Sequence, residues 1–231
     1  MRLTDRQLNR ATLARQLLLE RRSLGLVETV ERIGGLQAQE PASPYLALWS
    51  RLSGFEAEKL SRALHEHQLI KATLGRSTLH LVSAADYRAT VPALLAATRT
   101  RWMQEARGRP VVRTLPELTE ASLVYAAQPR TNVELRDHAG TLGEPVPAAE
   151  LWRRIRRYGE FLHVPGSEPW AFGRRPRLVA ARAWLDVPEP DEATGLEYVV
   201  RTHLRAFGPS RTADIAQWSG LTVRALRSGL D

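Results

Sequence analysis

With 231 residues the chain can bury a substantial core, as one large domain or as two or three small ones. Its net charge is +8, and all its basic residues except Lys59 and Lys71 are arginine, so nucleic acid or an acidic lipid surface is the favoured partner. Cysteine is absent, which excludes disulfides, thiolate metal sites and cysteine nucleophiles.

The N-terminal stretch Met1-Arg2-Leu3-Thr4-Asp5-Arg6 carries charges rather than an apolar signal, and no apolar run is long enough to span a bilayer. A cytoplasmic, nucleoid-associated protein without a membrane is expected. Thr4 followed by Gln7 has capping-box spacing and predicts a helix through Leu8, Leu13, Leu17 and Leu18. Val27 to Ile33 predicts a second helix, Tyr45 to Leu52 a third, and Phe55 to Gln68 a fourth after Gly54. The period then changes. Leu69 to Leu74 and Ser77 to Val82 are strand-like around a turn at Gly75-Arg76, and Asp86 to Arg107 predicts a long basic helix.

Gly108-Arg109-Pro110 marks a boundary, after which helices again precede a hairpin. Thr119 is expected to cap a helix through Val124, and Thr131 with Glu134 a second. Pro147 opens a third, ending at Tyr158. Strands are expected at Phe161–Val164 and Leu178–Trp184. A Pro-rich acidic linker, Pro188 to Glu192, leads to helices from Leu196 to Phe207, after Thr212 and after Thr222. The expected fold is mainly α with small β-hairpins, as tandem winged helix-turn-helix units: 1–108, 109–188, and an incomplete third at 189–231. A third unit that stops before its hairpin predicts the N-terminal portion of a longer protein.

The stretch Gly34-Gly35-Leu36-Gln37-Ala38-Gln39-Glu40-Pro41 organises this chain. The glycine pair can end a helix and admit close backbone approach, while Pro41 holds Glu40 out of the helical region. If the segment is extended, Gln37 and Gln39 face the same way; on a helix they would diverge by roughly 200°. Neutral amides in fixed geometry can hold a water or a base edge, or they can cap helix ends and satisfy buried backbone groups.

His65, His67, His80, His138, His163 and His203 are scattered, and no HExxH, Walker, Rossmann or GxSxG pattern occurs. Neither a metal nor a cofactor is expected. Arg76, Thr78 and His80 sit at and beyond the first hairpin turn, where they can contact phosphate or form a solvated face with His80 satisfied by a backbone carbonyl. Arg174, Arg175 and Arg177 offer the same pair of readings at the second hairpin. Trp49, Trp102, Trp152 and Trp218 fit apolar helix faces and are expected in the core.

Several segments, in order, carry a resemblance. They are Asn9-Arg10-Ala11-Thr12-Leu13-Ala14-Arg15-Gln16, Gly35-Leu36-Gln37-Ala38-Gln39, Tyr45 to Leu52, Arg76-Ser77-Thr78-Leu79-His80-Leu81-Val82, Ala206-Phe207-Gly208-Pro209 and Asp214 to Leu221. Together the chain resembles the AlkZ-like winged-helix DNA glycosylases along essentially its whole length. The resemblance implies tandem winged helices forming a concave DNA surface, and excision of N-alkylated purines, in some members with unhooking of interstrand crosslinks. Gln37-Ala38-Gln39 matches the Gln-x-Gln form of the family's catalytic signature, which turns the reading of the pair towards catalysis. Ser77 departs from the glycine usual before the hairpin threonine.

The implied partner is double-stranded DNA carrying alkylated bases, bound by a monomer. Chemistry agrees with the pair's composition. An N7-alkylguanine is cationic and leaves without a strong acid, so amides need only orient water and stabilise the sugar cation. A non-catalytic winged-helix DNA-binding protein or regulator is the alternative.

Overall fold

Several helices start at a threonine, Thr4 and Thr131 among them. The computed structural model describes residues 4–105, 112–167, 169–173, 175–185 and 191–228. Thr4 caps α1 (Asp5–Arg15), its side chain accepting from the Gln7 N–H while Gln7 reaches back, as the capping-box spacing predicts. α2 (Leu26–Arg32) ends in a Schellman motif: the Gly35 N–H donates to the Val30 carbonyl at 2.9 Å and the Gly34 N–H to that of Glu31 at 3.2 Å. Both glycines have positive φ. The chain then enters the short strand β1 (Leu36–Gln37), followed by α3 (Ser43–Trp49) and α4 (Ala57–His65).

β2 (Leu69–Leu74) and β3 (Thr78–Ser83) form an antiparallel hairpin, with Ile70 opposite Val82 and Ala72 opposite His80. β1 adds to the free side of β3, giving the order β1–β3–β2. α5 (Ala84–Glu105) follows at once; Arg107, expected at its end, lies outside the described residues. Val30, Ile33, Leu48, Leu60, Leu69 and Leu81 are buried to 1% exposure or less. Each such burial contributes about 1.5–3 kcal/mol.

The second group of elements is α6 (Leu115–Tyr125), β4 (Arg130–Thr131), α7 (Asn132–Thr141), α8 (Ala148–Tyr158), β5 (Phe161–His163), β6 (Arg177–Ala180) and α9 (Ala181–Trp184). Its strands run β5–β6–β4, all antiparallel. Leu118, Leu135, Leu151, Trp152, Ile155 and Phe161 share one core. The helices α10 (Glu192–Phe207), α11 (Thr212–Ser219) and α12 (Val223–Ser228) complete the chain. Contacts divide the protein into two units, Met1–Leu94 with Glu189–Asp231, and Leu95–Pro188, so the last helices belong with the first hairpin. Among the described residues no helix is long and apolar enough to cross a membrane.

Several expectations need correction. Thr119 is buried inside α6, and the cap is Thr114, which forms a capping box with Glu117. α11 begins at Thr212 instead of being capped by it: Arg211 holds the N-cap position without a side-chain cap, and its backbone N–H donates to the Asp214 carboxylate at 2.8 Å. The strand expected at Leu178–Trp184 ends at Ala180, where the alanine-rich run turns helical. Trp152 is buried, whereas Trp49 is 54% exposed because Tyr45, Leu48 and Leu52 take the core face of its segment. The Arg21 guanidinium lies over the Trp49 ring, 4.1 Å from its centroid.

Gly35 lets the chain pass close to β3. A Cβ there would lie 2.9 Å from Val82 Cγ1 and 3.3 Å from the Leu81 carbonyl, on a backbone with φ +86°. Gly54 has a similar φ of +74° but nothing within 4 Å of its would-be Cβ. Gly35→Ala is expected to destabilise by about 2–3 kcal/mol, combining left-handed strain with overpacking. Gly54→Ala should cost only the strain, about 1 kcal/mol. Urea unfolding midpoints test this, and equal losses at the two sites would refute the close-approach argument.

Candidate active site

The Gln-Ala-Gln segment is extended. Gln37 and Gln39 are exposed while Ala38 between them is 1% exposed, so both amides emerge on one face. β3 sets their position. Gln37 lies opposite His80, and the Ala38 N–H donates to the Leu79 carbonyl at 2.8 Å. That bond makes Ala38/Leu79 the hydrogen-bonded position of the ladder. Gln37 and His80 therefore form the non-hydrogen-bonded pair, the type with Cα atoms only about 4.5 Å apart and side chains in closest proximity. The ladder ends there. The Leu79 N–H donates instead to Gln39 Oε1 at 3.4 Å, so one amide of the pair also serves the backbone.

His80 is half-buried, with Nδ1 3.0 Å from the Thr78 carbonyl oxygen. A carbonyl only accepts, so Nδ1 carries the proton and Nε2 keeps its lone pair in the neutral ring. Burial holds the imidazole below its ordinary pKa; the bond to Thr78 opposes this and the Arg76 charge adds to it. The ring borders a cavity of about 40 Å³ that Val82, Asp86, Thr90, Thr202 and Trp218 also line, enough for a few waters and too small for a base. Asp86 is 3% exposed and accepts a 2.5 Å bond from the Tyr198 hydroxyl. Burial raises its carboxyl above the usual range, and Tyr198 partly offsets the rise. Burial, and then Asp86, pushes the Tyr198 phenol up to about 12.

Asp86 and Tyr198 were not among the expected site residues. Ser83 and Asp86 do have N-cap and N3 spacing, and the Asp86 N–H donates to Ser83 Oγ at 2.9 Å. That spacing could have marked the start of α5, but nothing local announces a tyrosine 112 positions away.

At the hairpin tip Arg76 is exposed and sits at φ 56°, next to Ser77 at φ 58°. Thr78 Oγ1 donates to the Gly75 carbonyl at 3.2 Å, so its proton is held inside the turn. Arg175 and Arg177 are exposed in the second unit, with Arg177 Nη2 reaching the Pro129 carbonyl at 3.4 Å; Arg174 lies outside the described residues. Lys71 is opposite Leu81, one step out of the His80 row, and so enters the other face of the sheet. Burial pushes its ammonium down to about 8 against the opposing pull of Glu40. Among the described residues no group of three or more His, Asp or Glu side chains could hold a metal. Two neutral amides and a neutral imidazole on one face can orient a water but supply no strong acid.

Comparison with known proteins bears on the family and the fold. The family described as DNA glycosylase AlkZ-like matches residues 30–231. An interstrand DNA cross-link repair glycosylase of Streptomyces sahachiroi is 25% identical over 240 residues, covering 96% of this chain and 62% of its own length. The solved structure of the Streptomyces sahachiroi DNA glycosylase AlkZ shares the fold with a TM-score of 0.80 at 20% identity, covering all of this chain and 65% of that one. The chain thus spans somewhat under two thirds of the relatives it matches. On the match across residues 30–231, the protein belongs to the AlkZ-like DNA glycosylase family.

Proposed function

We propose that this protein hydrolyses the N-glycosidic bond of cationic N-alkylated purines, of the N7-alkylguanine type, in duplex DNA. Crosslinks built on the same lesion fall within the proposed range, in keeping with the name of the cross-link repair relative. The observation that carries the reading is the pair Gln37 and Gln39, both exposed on one face of an extended segment whose middle residue is buried. An N7-alkylated ring is already a good leaving group. The remaining barrier lies in placing water and stabilising an oxocarbenium-like sugar, which amide dipoles do without titrating.

Arg76, Arg175 and Arg177, exposed on their hairpins, are proposed to neutralise DNA phosphates, with Arg174 and Thr78 beside them in sequence. Both hairpins act as wings of tandem winged helices in this reading, and the protein works as a monomer. With Lys71 directed to the opposite face of the sheet, hydrolysis without a Schiff base is proposed. Borohydride reduction during turnover should then trap no covalent enzyme–DNA adduct; a trapped adduct would overturn the monofunctional assignment.

One observation favours a second reading. Gln39 Oε1 accepts from the Leu79 N–H, as a purely structural amide would, and a non-catalytic DNA-binding module would need no more. Gln37→Ala or Gln39→Ala should slow single-turnover release of N7-methylguanine roughly 10–1000-fold with DNA affinity nearly intact. Gln39→Asp should retain activity, since a carboxylate also orients water. Wild-type release rates from both folded alanine variants would make the pair structural.

Reversing Arg174, Arg175 and Arg177 to glutamate should weaken duplex binding irrespective of sequence. It should also flatten the dependence of log K on log salt by about 0.9 per lost phosphate contact. An unchanged salt slope would show that this turn is merely solvated.

A further inference from the structure

Hydrolysis leaves one proton to be placed, and neither glutamine can take it. As oxygen bonds to C1′, the C1′–N9 bond breaks and its electron pair leaves with the purine, which becomes neutral. One hydrogen of the water stays as the new hydroxyl and the other must go to a base. Resting on the reading of Gln37 and Gln39 as the water-orienting pair, we propose that His80 is a further catalytic residue, its Nε2 accepting the proton of the attacking water.

Geometry carries the assignment. His80 stands directly opposite Gln37 in the close, non-hydrogen-bonded register, so the imidazole is the cross-strand neighbour of the first amide on the same face of the sheet. Its tautomer is set by the Thr78 carbonyl at Nδ1, and among the described residues no side chain or backbone group is hydrogen-bonded to Nε2. The ring also borders the small cavity that holds Asp86, itself fixed by Tyr198.

The charged groups facing His80 are few. Arg76 comes from its own hairpin and Asp86 from α5, while the cavity walls from α10 and α11 are Val199, Thr202, Trp218 and Ser219, all uncharged. Burial favours the neutral imidazole, which leaves the Nε2 lone pair open to a proton. This departs from the expected phosphate-contacting role of His80, because a neutral, half-buried ring is a poor phosphate ligand and a suitable proton acceptor.

The test is single-turnover excision by the 231-residue chain on a duplex containing one N7-methylguanine, at saturating protein. His80→Gln keeps a polar group near the place of Nε2 but is not basic. It should lower the rate roughly 10–100-fold, the lower part of the range for general base catalysis, while duplex affinity and melting temperature stay near wild type. The wild-type rate should fall as pH drops through a value below about 6.5, the ordinary histidine pKa, and His80→Gln should lose that fall.

Added imidazole should restore part of the rate to His80→Ala, which keeps the test informative if glutamine disturbs the hairpin. A wild-type rate in His80→Gln beside a slow Gln37→Ala overturns the role of His80 and leaves the amide pair standing. Weakened binding with an unchanged saturated rate makes His80 a DNA contact and overturns the proposal. Absence of excision by the unaltered chain overturns both readings together.

Discussion

The short ladder between β1 and β3 is the constraint on which the candidate site depends. Only Leu36 and Gln37 are paired as strand, and the Ala38 N–H extends that pairing by one bond. A slip of one residue would turn both glutamines towards the core and present Ala38 to solvent, because side chains alternate with period two. Elements on either side hold the register. The Schellman motif fixes where α2 stops, and Gly35 lets the chain pass close to Val82 and the Leu81 carbonyl. On the other side, β2 pairs with the full length of β3. A two-residue strand thus inherits the rigidity of a six-residue hairpin.

Neutrality at the site is consistent with the charge of the whole chain. In a protein of net charge +8 rich in arginine, exposed carboxylates two residues apart would readily draw guanidinium partners. Amides present one carbonyl oxygen in the same planar frame, and an NH2 beside it, without that competition. Arginine is left to act at longer range on phosphate, where a planar, permanently charged donor set is most useful. Arg76 links the two roles. It is exposed at the hairpin tip, yet its charge helps keep His80 neutral four residues along the chain.

Much of this was legible locally. The threonine boxes at Thr4–Gln7 and Thr131–Glu134, the Gly34-Gly35 helix stop and the hairpin around Gly75 rest on interactions within a few residues, which spacing records faithfully. The same code was available at Thr114–Glu117, where a nearby threonine drew the assignment instead. At α11 the N-cap position falls on Arg211, whose side chain has no acceptor, so only Asp214, accepting from the Arg211 N–H, marks that start. Trp49 shows the limit of periodicity. Tyr45, Leu46, Leu48, Trp49 and Leu52 are apolar around most of the helix, so two faces compete, and tertiary packing chose Tyr45, Leu48 and Leu52.

The site's inner wall was illegible for a different reason: it is non-local. Tyr198 reaches Asp86, and Val199, Thr202, Trp218 and Ser219 line the cavity beside His80, all from helices that follow the whole second unit in sequence. The same segment supports the hairpin tip. A Cβ on Gly75 would lie 2.8 Å from the Ser219 carbonyl oxygen, and one on Gly220 would lie 3.0 Å from the Arg76 nitrogen. With Arg76 and Ser77 both at positive φ, the tip occupies a conformation that isolated residues of these types rarely hold. The helices of 192–228 therefore do two things for a strand more than a hundred residues earlier. They buttress its strained turn, and they enclose the space into which His80 faces. The amide pair is set by pairing with strand β3 of the hairpin, about 40 residues on, whereas its imidazole neighbour acquires a buried setting only once the more distant helices have packed.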